Sequence, residues 1–215
     1  MSETFFGNPG FYARRAKTYD AMLGSPAYNK IFWGTHPRSY AGFAARAIGS
    51  SADPLLEVAV GTAQATALLH VASRRPTTLV DMSGPMLEMA SESIRKASGG
   101  QIPTRITLEC RDMLAQDGGQ RYGTILGLGL LHLIPDLGPV FAGLGAQLED
   151  RGTLYLASLI RGSARSNAYL KLLKSHGDIA EIRTPGELYE LALDAGIGTV
   201  SVTHEGAMAY LVISR

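Results

Sequence analysis

The stretch LLEVAVGTAQAT, Leu55 to Thr66, decides the fold. Leu55, Leu56, Val58 and Val60 form a short apolar run broken by one acid, Glu57, and Gly61-Thr62-Ala63 follows as a turn. The next segment, AQATALLHVA, is built from strong helix formers. A buried strand, a glycine turn and a helix make the first half of a βαβ unit, the usual seat of a nucleotide-like cofactor. Gly61 stands where the chain must turn sharply; lacking a side chain, it accepts φ > 0 and lets a ligand approach the backbone. Thr62 is the expected cap of a helix over about 62–73.

Outward from this stretch the strand-helix alternation repeats. TTLVDM (77–82) reads as a second buried strand, and Ser83 and Pro85 open the helix PMLEMASESIRKA, which stops at Gly99-Gly100. RITLEC (105–110) is a third strand, TILGLGL (124–130) a fourth and GTLYLASL (152–159) a fifth, with a helix expected over 136–148. Such alternation implies a parallel sheet covered by helices on both faces. SARSNAYLKLLKSHG and TPGELYELALDAG are amphipathic helical segments. TVSVTH and AMAYLVIS, joined by a short turn at Glu205-Gly206, form a hairpin, so one of them runs antiparallel. Residues 1–50 are helical in flavour and aromatic-rich, from Phe5 and Phe6 to Tyr40 and Phe43, with Gly24-Ser25-Pro26 and Gly34-Thr35-His36-Pro37 as breaks. This quarter reads equally as a cap packed on the core and as a lid lending aromatics to a pocket.

At 215 residues, 46% hydrophobic and 18% charged, the chain suits one α/β domain with a substantial core. Twenty basic against 19 acidic residues, a net +1, give no electrostatic case for nucleic acid or an anionic membrane. The pairs Arg14-Arg15 and Arg74-Arg75 read as solvated helix faces. Cys110, the only cysteine, excludes an internal disulfide and any multi-cysteine metal site, and is expected to be a buried strand residue. The five histidines show no ligand spacing, so no metal is expected. MSETFFGNPGF lacks the basic and apolar regions of a signal peptide, so none is expected there, and no apolar stretch reaches the ~18 residues of a membrane span. The expectation is a soluble, cytoplasmic protein.

The motifs narrow the chemistry by subtraction. G-x-G-x-x-G, the P-loop and the G-x-S-x-G elbow are all absent, which weakens an oxidoreductase, a nucleotide hydrolase and a serine hydrolase. What remains is a ladder of acids along the strands. Glu57 lies in the first strand, Asp81 ends the second and Asp112 follows the third. An acid at the end of a second strand accepts the hydroxyl protons of a ribose, and one after the third is placed for an exocyclic amine. Any one of these acids alone reads as a helix or turn cap. Their recurrence at strand ends, which face one crevice, favours a ligand site.

Several of these stretches, taken in order, resemble the class I S-adenosylmethionine-dependent methyltransferases, most closely the small-molecule branch that includes quinone-biosynthesis enzymes. LLEVAVGTAQAT is similar to the family's glycine-rich first motif and LVDMSGPMLEMA to its acidic second motif. CRDML is similar to the adenine-side motif, YGTILGLGLLHLIPD to the fourth-strand motif and LEDRGTLYLAS to the segment entering strand five. The resemblance covers roughly 55 to 160. It implies a Rossmann-like, doubly wound, seven-stranded and mostly parallel sheet with an antiparallel terminal strand. It also implies a helical N-terminal cap over 1–50 and a catalytic core over 51–215 that carries a lid insertion at about 160–185.

The implied cofactor is S-adenosylmethionine. Glu57, Ala59, Gly61 and Ala63 would line its methionine half; Asp81 would bind the ribose and Met82 would pack on the adenine. Asp112 and the Met113 backbone would read the adenine edge, and Leu128, with Gly129, would floor the sulfonium. Family members usually carry glycine where Ala59 and Ala63 stand, and often cysteine at Val60. That departure keeps open a non-catalytic cofactor-binding or interaction protein on the same fold. If the chain is an enzyme, a small-molecule oxygen, nitrogen or carbon attacks the methyl in line. His132 is the best candidate base, its structural alternative being to order the loop LHLIPD. Tyr12, Tyr19, Trp33 and His36 are the candidate lid and substrate residues. The methyl acceptor and the oligomeric state stay open, with the aromatic N-terminal segment able to meet a second subunit.

Overall fold

The computed structural model describes residues 25–115 and 119–215. After a helical turn at Pro26–Tyr28 and a π-helix at Asn29–Trp33 comes α1 (Pro37–Ile48). The sequence then alternates through β1 (Leu55–Val58), α2 (Ala67–Ser73), β2 (Thr77–Asp81), α3 (Gly84–Ser98), β3 (Ile106–Cys110) and β4 (Tyr122–Leu128). A 3-10 turn at Leu131–Leu133 precedes α4 (Gly138–Ala146), β5 (Leu148–Leu159), α5 (Ala164–Ser175), α6 (Pro185–Asp194), β6 (Thr199–Glu205) and β7 (Met208–Ser214). The sheet order is β3-β2-β1-β4-β5-β7-β6, with β1 to β5 parallel and β7 antiparallel to both β5 and β6. The expected doubly wound, mostly parallel seven-stranded sheet is therefore the observed one. The candidate lid residues Tyr12 and Tyr19 lie outside the described residues.

All four residues of β1 are buried, because β1 lies mid-sheet with helices on both faces. The two-residue period divides them. Leu55 packs with Phe43 and Ala47 of α1, whereas Leu56 and Val58 pack with Phe141 and Leu144 of α4 and Leu188 of α6. Glu57 shares the face of Leu55. Each fully buried leucine of this kind is worth about 1.5–3 kcal/mol, so the central strands anchor whatever their ends carry.

Several boundaries differ from the expected ones. α2 begins at Ala67 rather than near Thr62, because Ala63 adopts φ 54°, which no right-handed helix accommodates. Thr66, not Thr62, is the N-cap, and its hydroxyl bonds a side chain instead of the helix backbone. α4 is shorter than expected and β5 starts earlier, because Leu148 pairs with Tyr122 across the sheet. Cys110 is exposed, since β3 is an edge strand with one flank open. Arg75 is also a correction: it is buried, and its guanidinium donates to the carbonyls of Asp53 and Ile48 (2.8 and 2.9 Å) and to the Thr124 hydroxyl (2.9 Å). It thus joins the end of α1 to β4.

The β6–β7 turn is closed by Gly206, whose φ is 57°. A Cβ there would stand 2.1 Å from the Trp33 carbonyl oxygen, which also accepts the Ala207 amide at 2.7 Å. Among the described residues, no helix is long and apolar enough to cross a membrane.

Candidate functional site

The strand order reverses between β1 and β4, and folds of this kind bind ligands in the crevice outside the carboxyl ends of the strands at such a switch point. Three residues of the β1–α2 loop have left-handed backbone: Ala59 (φ 50°), Gly61 (φ 57°) and Ala63 (φ 54°). Glycine takes this conformation freely, whereas an alanine costs roughly 1–2 kcal/mol. The two alanines stand where the resemblance expects glycine, so the loop keeps a glycine path with methyl groups on it. Backbone strain of this sort persists only where the surroundings over-determine it.

Asp81 supplies one constraint. Its Oδ2 accepts the Gly61 amide at 2.9 Å and its Oδ1 accepts the Ser83 amide at 2.8 Å, while the Val60 amide bonds the Val80 carbonyl at 3.1 Å. One carboxylate therefore pins the loop after β1 to the turn after β2. Burial raises the Asp81 pKa, against the lowering effect of the Ser83 and Gly61 amides. Cys110 Sγ reaches the Met82 carbonyl at 3.6 Å and the Arg111 amide bonds the Asp81 carbonyl at 3.2 Å, so the β3 loop joins the same corner. Asp112 caps its own turn by accepting the Leu114 amide at 2.9 Å, and Met113 is buried beside it. Met82 is 42% exposed on the rim, and Leu128 ends β4 partly buried. The structure thus brings Ala59, Gly61, Ala63, Asp81, Met82, Asp112, Met113 and Leu128 to the strand ends.

Glu57 goes elsewhere. It is buried on the α2 side of β1, where Oε1 accepts the Thr66 hydroxyl at 3.3 Å and Oε2 accepts from His70 Nε2. His70 is fully buried, and among the described residues its Nδ1 has no partner. Sequence reading placed His70 on the crossover helix but missed this contact. Its available signal was a histidine amid apolar helix residues, one strand-turn-helix after a buried acid.

His132 lies in the 3-10 turn after β4, also buried. Its Nδ1 accepts the Leu159 amide at 3.3 Å, and its carbonyl accepts the amides of Ala180 and Glu181 (2.9 and 3.2 Å). Burial first, and the Arg183 charge second, push its pKa down to about 3. Arg183, which sequence reading did not single out, donates to the carbonyls of Leu131, Ile134 and Pro135 at 3.0, 2.9 and 2.6 Å. These bonds tie the β5–α6 connection to the loop after β4. Trp33 is buried in a cluster with Tyr28, Phe32 and Tyr169, at centroid distances of 6.2 Å from Tyr28 and 5.3 Å from Tyr169. His36 is exposed and caps α1, its Nδ1 accepting the Arg38 amide at 3.0 Å. A surface depression of about 370 Å³ between α3 and β3, lined by Leu87, Glu88, Arg95 and Cys110 among others, holds none of the candidate residues of the crevice. Among the described residues, no cluster of three or more side chains could hold a metal ion.

The strand order, the left-handed loop after β1 and the acid ending β2 define the class: the chain has the fold of the class I methyltransferases. No family model and no curated protein sequence matches the chain. Among solved structures, the DhpI complex with SAH is 18% identical at TM-score 0.66, over 96% of this chain and 94% of that one. The magnesium protoporphyrin IX methyltransferase of Synechocystis PCC 6803 with bound SAH is 16% identical at TM-score 0.66, over 96% and 94%. An O-methyltransferase family protein of Burkholderia thailandensis is 14% identical at TM-score 0.70, over 98% of this chain and 63% of that one.

Proposed function

We propose that the chain binds S-adenosylmethionine at the strand ends and transfers its methyl group to an oxygen, nitrogen or carbon nucleophile of a small molecule. The observation that carries this reading is Asp81 pinning Gly61 at the crevice. Each carboxylate oxygen of Asp81 has one backbone donor, leaving a lone pair on each for the two hydroxyls of a ribose. Among the described residues, a methyl built at Gly61 meets no atom within 4 Å, which leaves room for a ligand beside that carboxylate as far as these residues go. The neighbours with bound SAH support the same cofactor for this chain.

When bound, the cofactor supplies an electrophilic methyl on a sulfonium. The residues bind and align. Asp81 would take the ribose, Met82 would pack on the adenine, Asp112 and the Met113 backbone would meet its edge, and the 59–63 loop would carry the methionine half. Leu128 floors the reacting centre. Our reading assigns no proton transfer to His132: its Nδ1 already accepts an amide, and its depressed pKa leaves it a weak base. The described part of the N-terminal segment, residues 25–50, and the segment around 160–185 would wall the acceptor site, with the Trp33 cluster as its apolar flank. The near-neutral charge and the absence of a basic stripe in the sequence favour a small-molecule acceptor over nucleic acid.

Thermal stability measured with S-adenosylmethionine and SAH tests the proposal. At ~100 times its dissociation constant a ligand stabilises by about 2.7 kcal/mol, and the rise should vanish in Asp81→Ala. No rise with either ligand in folded protein sinks it. The strained Ala59 and Ala63 favour a second reading, a cofactor-binding protein without transfer; a thermal rise with no turnover across an acceptor screen would select it.

A further inference from the structure

We infer that His70, through its hydrogen bond to Glu57, is a positioning residue that holds the β1–α2 loop in its ligand-ready shape. The ligand in this inference rests on the methyltransferase reading; the mechanical claim rests on the geometry. Glu57 is a carboxylate inside the sheet, 2% exposed, and among the described residues no lysine or arginine reaches it. A buried carboxylate without partners is costly. Its oxygens are instead engaged from one direction, by the Thr66 hydroxyl and by His70, both on the segment that follows the loop. The loop from Ala59 to Thr66 is therefore bracketed. Its front is held by Asp81 on the Gly61 amide, and its back by Glu57 through Thr66 and His70.

Left-handed Ala63 lies between those two anchors, and left-handed Ala59 stands two residues before the first of them. A loop of glycines would hold this path at little cost, whereas a loop with two strained alanines needs its ends fixed. His70 meets that need. Its ring is fully enclosed, and among the described residues Nδ1 has no partner and the bond to Glu57 is the ring's only polar restraint. The Arg105 guanidinium bonds the Val71 carbonyl and the Asp81 carboxylate bonds the Gly61 amide; among the described residues neither pairs with Glu57.

The test uses the full chain with His70→Ala and His70→Gln, and Glu57→Gln as a near-isosteric second route if the histidine variants fail to fold. SAH affinity is measured well below the melting temperature, together with amide hydrogen exchange across 59–66. The expected result is about tenfold weaker SAH binding and faster exchange confined to 59–66, with β4 and β5 unchanged. Added imidazole, filling the space in His70→Ala, should restore both. A folded variant with a lower melting temperature but wild-type affinity and wild-type loop exchange overturns the inference, since His70 would then only pack the core. If the wild type itself binds no SAH, the methyltransferase reading fails, and loop exchange alone still decides whether His70 positions the loop.

Discussion

Ala59 and Ala63 carry the most specific prediction at the scale of a single residue. Each pays the left-handed penalty that glycine avoids, roughly 1–2 kcal/mol, partly offset because glycine enlarges the unfolded ensemble by about 0.5–1 kcal/mol. Ala63→Gly should therefore stabilise by about 0.5–1 kcal/mol, seen as a higher urea midpoint, whereas Ala63→Val should destabilise. Asp81 makes a second prediction through its raised pKa. Ribose binding needs the ionised carboxylate, so SAH affinity should fall with falling pH, beginning above the pH at which an ordinary aspartate protonates. Asp81→Asn should bind weakly at every pH and flatten that profile. His132 titrates in the opposite sense. Its folded pKa of about 3 lies below the unfolded value of about 6.5, so burial favours the neutral ring. The stability it contributes is complete above pH 6.5 and drains away as the pH falls from there toward 3, by up to about 1.4 kcal/mol per pH unit. His132→Asn keeps an acceptor for the Leu159 amide and removes the titration. Urea unfolding at pH 7 and pH 4.5 should show a smaller gap for it than for the wild type. Its turnover should stay within a few-fold, where losing a true base would cost about 10²–10⁴.

At the scale of elements, the alternation of apolar runs and helix formers from Leu55 to Leu159 was legible because each strand is continuous and each turn carries glycine, serine or proline. The ends of the elements were not. Nothing in GTAQAT says that Ala63 will take φ 54° and delay α2 by a turn, because alanine is the best helix former and the reversal is enforced from Asp81 and Glu57. Cys110 misled for a similar reason: sequence shows a strand, and only the sheet order shows that the strand is an edge. Arg75 misled most. Its charge reads as surface, yet the backbone carbonyls that receive it, of Asp53 and Ile48, belong to a connection whose path no local pattern reveals. Arg75→Ala would leave those two carbonyls without their donor, while the Thr124 hydroxyl keeps its bond to the Ser50 hydroxyl, at about 1–3 kcal/mol for each carbonyl that stays dry. The expected result is a loss of at least about 2 kcal/mol in urea unfolding, well beyond that of Arg74→Ala, whose side chain is exposed.

Across the whole molecule, the sheet divides the proposed labour. β1, β2 and β3 end in the residues assigned to the cofactor, whereas β4, β5 and the connection to α6 border the side assigned to the acceptor. The two halves meet at the loop after β4, and Arg183 holds that loop by three of its carbonyls from across the chain. The guanidinium is buried, and desolvation lowers its pKa although Glu181, Glu187 and Asp136 raise it; its hydrogen bonds run to backbone oxygens. Such a cation acts as a geometric clamp, since a guanidinium fork fixes the direction of each carbonyl it serves. Releasing it should let the loop drift against β5 while leaving Asp81, Gly61 and the β1–α2 loop as they are. Arg183→Met, which keeps the apolar stem, should therefore leave SAH affinity near the wild-type value and lower kcat, or raise KM for the acceptor, by about tenfold or more. The comparison of Kd for SAH with kcat and acceptor KM in the same preparation decides it. Equal losses in both would show that the halves are not separable, and that Arg183 supports the fold as a whole.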